Sequence, residues 1–593
     1  MRKVDFLMKI SKLKIENYRN IKFIDVKLGD TVAFIGRNNS GKSNILRAVT
    51  LPFLSNEIGY NGKNLSWFDI HSDARNSYYS YIFENQESIR DGSIEISELQ
   101  KRIPRIIIEV ELIPNEDEYY YVKDLAYKMS DDDNIYYGIK YEFSPRNLNE
   151  FLERIKEILN HQENLELNNQ SIDEIKMNLL PVDLYSYTIK VPFKLSSVPF
   201  DTLKLFKYTS LIAERDDFSQ SSKKIGSNSL VKLLQMKLDT PAKLTIEQEY
   251  TKFFEKLKEI SDMDNILNWH ENSEINNAQE FFNNISILPN MPNMSSLLNS
   301  VKLGYSGEHL SSQGLGHRNL ILLFVLLNSF IERKDNTAFS LITMEEPEAH
   351  LCIENQKLMS SYMGNFNDKK FSNQLLYSTH STEFINKLNF NNIIIVDNGN
   401  ALSLEYELEQ EHKNYLSKNP NLDLYKLFFS SKCILVEGLT EELFIRAYLQ
   451  SKGELNNIEV LSFHKGYIDI MKIWLKLNKN SKNRLGIVRD YDDQPKAMQN
   501  HEAYNQYDNI CVKTTAAYTL EPEIVNTGNN IEILNDYFVS KFKWEKLDKE
   551  GLSNKWRDAK ATVMLEFCKD LANGNLKKLK MPIHIQKVLD FMS

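Results

Sequence analysis

Thr31-Val-Ala-Phe-Ile-Gly-Arg-Asn-Asn-Ser-Gly-Lys-Ser-Asn-Ile-Leu-Arg-Ala-Val49 decides the architecture of this chain. Thr31 to Ile35 reads as a short buried strand, and it runs straight into Gly36. Gly36 to Ser43 then fits the spacing GxxxxGK[ST] in full, and a helical run opens at Asn44. Gly36 and Gly41 let the backbone curl through Asn38, Asn39 and Ser40, so that successive N–H groups point at phosphate oxygens. The helix N-terminus adds a favourable dipole, Lys42 reaches the β/γ-phosphates and the Ser43 hydroxyl ligates Mg²⁺. The competing interpretation is a Gly-Ser turn that merely caps a helix. A strand before the loop and a helix after it favour a bound nucleotide.

Moving outward, Ser340-Leu-Ile-Thr-Met-Glu-Glu-Pro-Glu348 is a second buried strand, and it ends in acids. Glu345 falls where an Asp usually holds the Mg²⁺ shell, and Glu346 where a carboxylate orients the attacking water. The bland alternative is an acidic helix start in solvent. Leu376-Tyr-Ser-Thr-His-Ser381 places His380 at the end of a further strand, in the order expected for a γ-phosphate sensor. Upstream, Leu310-Ser-Ser-Gln-Gly-Leu-Gly-His317 opens an apolar helix. Its N–H groups, Ser312 and Gly314 suit a nucleotide on a facing subunit. On its own it is also an ordinary capping loop.

That order of phosphate loop, long insertion, signature-like loop, EEPE and STHS resembles the ABC-type ATPases of the RecF/SMC/OLD group. The resemblance implies ATP as cofactor and head-to-head pairing, hence a homodimer or homotetramer. LSSQG, in place of LSGGQ, is in keeping with the OLD branch.

A second constellation lies near the carboxyl end. Ile434-Leu-Val-Glu-Gly-Leu-Thr-Glu-Glu-Leu-Phe444 puts Glu437 at a strand end and Glu441 one helical turn later, so both can face one pocket. Leu485-Gly-Ile-Val-Arg-Asp-Tyr-Asp-Asp493 ends another strand with Asp490 and Asp492, which share a side if the segment is extended. Tyr518-Thr-Leu-Glu-Pro-Glu523 supplies Glu521 and Glu523 with the same alternation expected. Hard carboxylate oxygens without a His/Cys cluster point to Mg²⁺ or Mn²⁺, held by Glu437, Glu441, Asp490, Asp492 and Glu521. Such a site suits phosphodiester hydrolysis. Each acid alone would be a solvated strand end; three clusters in this order argue otherwise.

EGxxE, DxD and LExE in this order resemble a TOPRIM domain. Behind an ABC-type ATPase the layout is similar to the OLD-family nucleases, particularly the nuclease subunits of Gabija anti-phage systems. The resemblance covers both halves and leaves about residues 150 to 300 unmatched. It implies metal-dependent DNA cleavage or nicking, an ATPase controlling access, and a helicase partner. It also implies a basic residue in the last helical segment that stabilises charge on the scissile phosphate. Lys560 is the candidate, and an ordinary exposed lysine is the competing interpretation.

The expected fold class is therefore α/β: an ABC-type (RecF/SMC-like) ATPase with a helical dimerisation insertion, followed by a TOPRIM α/β domain. The expected boundaries are 1–150 for the N-terminal ATPase part, 151–300 for the partly helical insertion, 301–415 for the C-terminal ATPase part, and 416–593 for the nuclease domain with a helical tail. Strands are expected at 9–28 (a pair turning at Asn17–Asn20), 106–113, 136–143, 185–193 and near Thr209. A polar stretch from Asn400 to Asn421 reads as a linker.

Composition sets outer limits. At 593 residues the chain is too long for one ordinary core. Its 42% hydrophobic content excludes global disorder. The longest apolar stretch, Asn319 to Ile331, is too short to span a membrane. No secretory leader is expected at the start, and Met8 is an alternative initiator. Cys352, Cys433, Cys511 and Cys568 lie far apart, which fits reduced thiols in a cytoplasmic protein. A net charge of −9 excludes a chain blanketed in positive charge, although a local groove for DNA remains compatible with it. Two further functions fit the motifs: a non-nucleolytic RecF/SMC-like ATPase scaffold in DNA repair, and a TOPRIM effector that cleaves RNA.

Overall fold

The computed structural model describes residues 8–55, 63–129, 133–161, 172–211, 237–261, 303–331, 337–364, 373–386, 392–418, 430–455, 457–463, 466–478, 481–491, 494–516 and 519–593, with a few isolated positions between. Its centre is a seven-stranded sheet. Five strands matter for the sites: β1 (Thr31–Ile35), β2 (Phe206–Leu211), β3 (Phe339–Glu345), β4 (Asn373–Ser378) and β5 (Ile393–Asp397). In space they run β5-β1-β4-β3-β2, all parallel, with Leu54–Ser55 beyond β2 and Asn400–Ser403 antiparallel beyond β5.

Such a sheet is buried on both faces, so its strands are apolar throughout instead of alternating. In β1, Val32 and Phe34 join one core while Ala33 and Ile35 join another. The first core also takes in a six-stranded antiparallel sheet made of Lys9–Tyr18, Ile21–Lys27, Ile106–Ile113, Ala126–Tyr127, Tyr136–Pro145 and Tyr185–Lys190. Gln374 ties the two sheets together: its side chain bonds the N–H and carbonyl of Ile10 at 2.9 Å each.

A four-stranded parallel sheet forms the C-terminal unit, in the order β7-β6-β8-β9 for β6 (Lys432–Val436), β7 (Glu459–Ser462), β8 (Arg484–Arg489) and β9 (Ile510–Thr514). Cys433 and Leu435 of β6 point into the core shared with Ile35 and Ile395 of the central sheet, and Ile434 and Val436 point the other way. One body therefore contains both parallel sheets, and the expected α/β class is what the chain adopts.

Two expected boundaries move. Tyr185–Lys190 pairs with Tyr136–Pro145, and β2 sits inside the central sheet, so residues 185–211 belong to the ATPase body and not to an insertion beginning at 151. Between β2 and residue 303 a helix at Thr240–Ser261 is described, and most of that segment lies outside the described residues. The expected linker also starts too early. Asn400–Ser403 forms a hairpin with β5, because Asn398 and Gly399, both at positive φ, turn the chain back on itself.

Packing on the C-terminal sheet is tightest at Gly486 of β8. A Cβ there would collide with Val588 and come within 2.7 Å of the Met592 methyl of a closing helix, Ile583–Met592. Gly486→Ala is therefore expected to destabilise the unit by about 1–3 kcal/mol. Thermal unfolding measures this, and an unchanged melting temperature would refute the tight seating of that helix.

Candidate functional site

The first site gathers at the carboxyl ends of β1, β3 and β4. Gly36 leaves β1 at φ +147, and a Cβ there would strike the Val396 carbonyl of β5, so no other residue fits. Gly41, at φ +116, caps helix α1 (Lys42–Thr50). Asn38, Asn39 and Ser43 are exposed, whereas Ser40 is buried. Lys42 folds back on the loop and donates to the Gly36 carbonyl at 2.9 Å and the Arg37 carbonyl at 2.8 Å. Burial lowers its pKa to about 8, against the pull of Glu346 and Glu348. Those carbonyls hold the ammonium where a phosphate would replace them.

Opposite the loop, Glu345 ends β3, and Glu346 adopts φ 42 with its N–H on the Ser378 carbonyl at 3.0 Å. His380 Nε2 lies 3.6 Å from Glu346 Oε1. Burial, helped by the nearby Lys42 charge, lowers the His380 pKa, so the ring is neutral near pH 7. Lys42, Glu346 and His380 thus stand together at one end of the sheet.

Three features went unread in the sequence. The turn at Asn17–Asn20, taken only as a strand connection, clamps the phosphate loop. Asn20 donates to the Asn39 and Ser40 carbonyls at 3.4 and 3.1 Å and accepts from Asn44 at 2.8 Å. Arg19 donates to Asn44 at 2.9 Å and to Asp69 at 2.8 Å, and the Glu345 charge acts on its guanidinium. Glu348 is the third. Its Oε1 accepts from the Thr379 hydroxyl at 2.8 Å and the His380 N–H at 2.6 Å, which pins the histidine segment, and burial raises its pKa. The asparagine-rich turn and the final acid of EEPE were the available signals.

Ser312 turns to its own hairpin, with its hydroxyl on the His309 carbonyl at 2.7 Å and on Glu308 at 3.1 Å. Gly314 faces open space before helix α2 (Leu315–Ile331).

The second site lies at the carboxyl ends of β6 and β8, which are neighbours. Glu437 follows β6, Asp490 follows β8, and the Asp490 N–H donates to Glu437 Oε2 at 3.0 Å. Beside them, Tyr491 N–H donates to the Thr515 hydroxyl at 2.9 Å and Thr515 N–H to the Arg489 carbonyl at 3.0 Å, so β9 braces the tip. Glu441, in the first turn of α3 (Leu439–Lys452), is 5% exposed, and its Oε2 lies 2.7 Å from where a Gly438 Cβ would stand. A Cβ at Gly438 would therefore push the Glu441 carboxylate away from the helix start.

The third acidic cluster departs from expectation. Glu521 and Glu523 were expected to alternate on an extended segment, but both begin a helix, Leu520–Asn526. Two residues apart on a helix is about 200°, so they diverge. Glu521 is fully buried and accepts from the Thr519 hydroxyl at 3.0 Å, whereas Glu523 faces His584 at 3.9 Å. Thr519 in extended conformation makes the N-terminal junction, which turns a strand-like string of acids into a first helical turn. Asp492 lies outside the described residues. Lys560 is the first residue of a helix, Lys560–Ala572, that packs along α3, and its side chain is outside the description. Among the described residues, no three His, Cys, Asp or Glu side chains stand close enough to hold a metal together.

With this geometry in view, the family follows. The model of the AAA ATPase domain family matches residues 8–385, more than half of the chain and the whole of the first site. The chain belongs to the AAA ATPase domain family. That membership implies ATP binding. Among curated proteins, the chain is a distant relative of Endonuclease GajA from Bacillus cereus (strain HuB5-5), 21% identical over 97% of this chain and 90% of that protein. Among solved structures it is similar to an Smc head bound to the C-winged helix domain of ScpA (14% identity, 67% of this chain, 98% of that one, TM-score 0.31). The C-terminal region of the Xanthomonas campestris pv. campestris OLD protein also matches (19% identity, 28% of this chain, 95% of that one, TM-score 0.20). No described helix is long and apolar enough to cross a membrane.

Because Asn20 supplies three hydrogen bonds to the phosphate loop and its helix, Asn20→Ala is expected to weaken ATP binding on the order of tenfold. Titration with a fluorescent ATP analogue checks this; unchanged affinity would mean that the loop holds its shape without the clamp.

Proposed function

We propose that the protein is an ATP-regulated, divalent-metal-dependent endonuclease or nickase acting on DNA, in the service of anti-phage defence. One observation carries the reading: two carboxylate tips, Glu437 and Asp490, meet on adjacent strand ends in the same body as an ATPase site. The distant likeness to an endonuclease supports it.

The donors fit the cation. Carboxylate oxygens are hard ligands, and Mg²⁺ is usually held by one or two carboxylates while water and substrate phosphate complete its shell. Glu437 and Asp490 would hold it, with Glu441 and Asp492 the nearest further acids in sequence. When bound, a cation of this kind activates water and stabilises the leaving oxygen. Glu437, fixed by the Asp490 amide, keeps its carboxylate oriented at the strand tips. Lys560 is proposed to approach the scissile phosphate from the helix along α3. In the ATPase half, Lys42 and Ser43 bind phosphate and its Mg²⁺, Glu346 orients water and His380 senses the γ-phosphate. Ser312 and Gly314 are proposed to complete the nucleotide site of a second subunit, in a homodimer or homotetramer. A helicase partner belongs to the same reading.

One observation favours a competing function, a non-cleaving ATPase scaffold on DNA: the described residues lack a third metal-ligating side chain beside Glu437 and Asp490. Supercoiled plasmid and a structured RNA, incubated separately with Mg²⁺ or Mn²⁺, separate the possibilities. Nicking of the plasmid is expected, with Glu437→Ala and Asp490→Ala each reducing it on the order of 10²-fold or more while ATP binding persists. Lys42→Ala should lose ATP binding. No nicking by wild type would leave the scaffold, and cleavage of RNA alone would change the substrate.

A further inference from the structure

Glu348, the last acid of EEPE, stands where three pieces of the nucleotide site meet. The chain leaves β3 through Glu346 at φ 42 and turns again at His350, φ 64. Pro347 to Ala349 therefore form a compact loop. It is closed by bonds from the Ala349 N–H to the Glu346 carbonyl (2.9 Å) and from the Leu351 N–H to the Glu348 carbonyl (3.0 Å). On one side Glu348 Oε1 accepts from the Thr379 hydroxyl at 2.8 Å and the His380 N–H at 2.6 Å. The Thr379 hydroxyl in turn accepts from the Ser381 N–H at 3.0 Å, and the Ser381 hydroxyl donates to Gln356 at 2.8 Å. On the other side the loop carbonyls seat the first turn of α2. A Cβ at Gly316 would come within 2.7 Å of the His350 carbonyl, and Asn319 donates to the Ala349 carbonyl at 3.4 Å.

Up to Thr379 the sheet itself fixes the chain, because the Thr379 N–H bonds the Phe34 carbonyl at 3.1 Å and the Glu346 N–H the Ser378 carbonyl at 3.0 Å. His380 is the first residue past that ladder, and its Nε2 reaches to 3.6 Å from Glu346 Oε1. Beyond a ladder, a residue is held only by the other bonds its backbone finds. Glu348 supplies one at the amide of the residue that carries the ring, as a second layer of contacts must if a side chain is to be fixed in direction. Glu348 Oε2, by contrast, is buried with no hydrogen-bond partner, a cost that packing alone would avoid. Resting on the reading of His380 as a γ-phosphate sensor, we propose that Glu348 is a positioning residue that makes the site prefer ATP to ADP, its Oε1 holding the His380 amide so that the imidazole meets the γ-phosphate. The acceptor carries this role and not the charge. A carboxylate in this site repels the more negative nucleotide, so its charge by itself works against ATP.

Glu348→Gln removes the charge and keeps an acceptor, whereas Glu348→Ala removes both, so the difference between them isolates the hydrogen bonds. Thr379→Val deletes the hydroxyl from the other side. Competition against a fluorescent ATP analogue, in the presence of Mg²⁺, gives the ATP and ADP affinities of wild type, these three variants and His380→Ala. Wild type is expected to prefer ATP, and His380→Ala to lose that preference. Glu348→Gln should keep it, while Glu348→Ala binds ATP on the order of tenfold more weakly than Glu348→Gln, with the ADP affinity of the two unchanged. Thr379→Val should shift in the same direction by less. Equal ATP affinities in Glu348→Ala and Glu348→Gln would overturn the inference and leave the sensor role of His380 standing. So would a matching loss of ADP affinity, which marks a structural role. If Glu348→Ala fails to fold, Thr379→Val against wild type decides by the same two criteria. An ATP preference retained in His380→Ala, or absent from wild type, would overturn the sensor role and the inference together.

Discussion

Helix α4 (Tyr467–Leu477) is the contact on which the joining of the two chemical sites depends. Ile470, Ile473 and Trp474 share one apolar core with Ile35 and Ile395 of the central sheet and with Leu435 and Ile487 of the C-terminal sheet. Toward the end of this helix, Trp474 and Asn478 share a cleft with Arg37 of the phosphate loop and Asp397. The helix, eleven residues and about 16 Å long, is thus packed against both sheets. Burying several large apolar side chains there, at roughly 1.5–3 kcal/mol each, outweighs what the sparse polar contacts across the same boundary provide. The Asp397–Asn483 contact, at 3.5 Å, is one of these and is weak.

Five candidate residues lie at the carboxyl end of a parallel strand: Gly36 after β1, Glu345 at the end of β3, His380 after β4, Glu437 after β6 and Asp490 after β8. In open parallel sheets the loops at that end connect to helix N-termini, whose free N–H groups favour anions, and crevices form where neighbouring connections diverge. The same topology thus builds a phosphate cradle in one sheet and a pair of carboxylates in the other. The difference is in the residues at the tips. Glycines and a lysine shape the first set of tips, and carboxylates the second.

Both sites are also held by backbone more than by side chains. Asp490 is tied to Glu437 through its N–H, His380 to Glu348 through its N–H, and the phosphate loop to Asn20 through its carbonyls. These bonds fix the chain that carries the candidate side chains. Lys42 is the exception, because its ammonium rests on loop carbonyls that a phosphate must displace. Two lysines near the carboxyl end are instead tied to acidic side chains. Lys541 pairs with Asp570 at 3.1 Å and Lys546 with Asp536 at 2.8 Å, as on an ordinary solvated helix face.

What the amino-acid sequence determined by itself was everything encoded at short range. The apolar run of Thr31 to Ile35 before a glycine, the acids after Met344, and the strands at 106–113 and 136–143 were all legible, since strand, loop and helix start are set by neighbouring residues. So was the order of the two sites. Tertiary structure alone decided which tips meet, because contact between Glu437 and Asp490 depends on β6 and β8 being neighbours, a fact stored in the whole sheet. It likewise decided that Glu521 and Glu523 part company, since an alternating acidic string serves a strand or a helical first turn equally well until packing chooses. It placed Asn20 on the phosphate loop and Gln374 against Ile10 for the same reason: a side chain's chemistry is written in its residue, but its partners come from chain segments tens to hundreds of positions away.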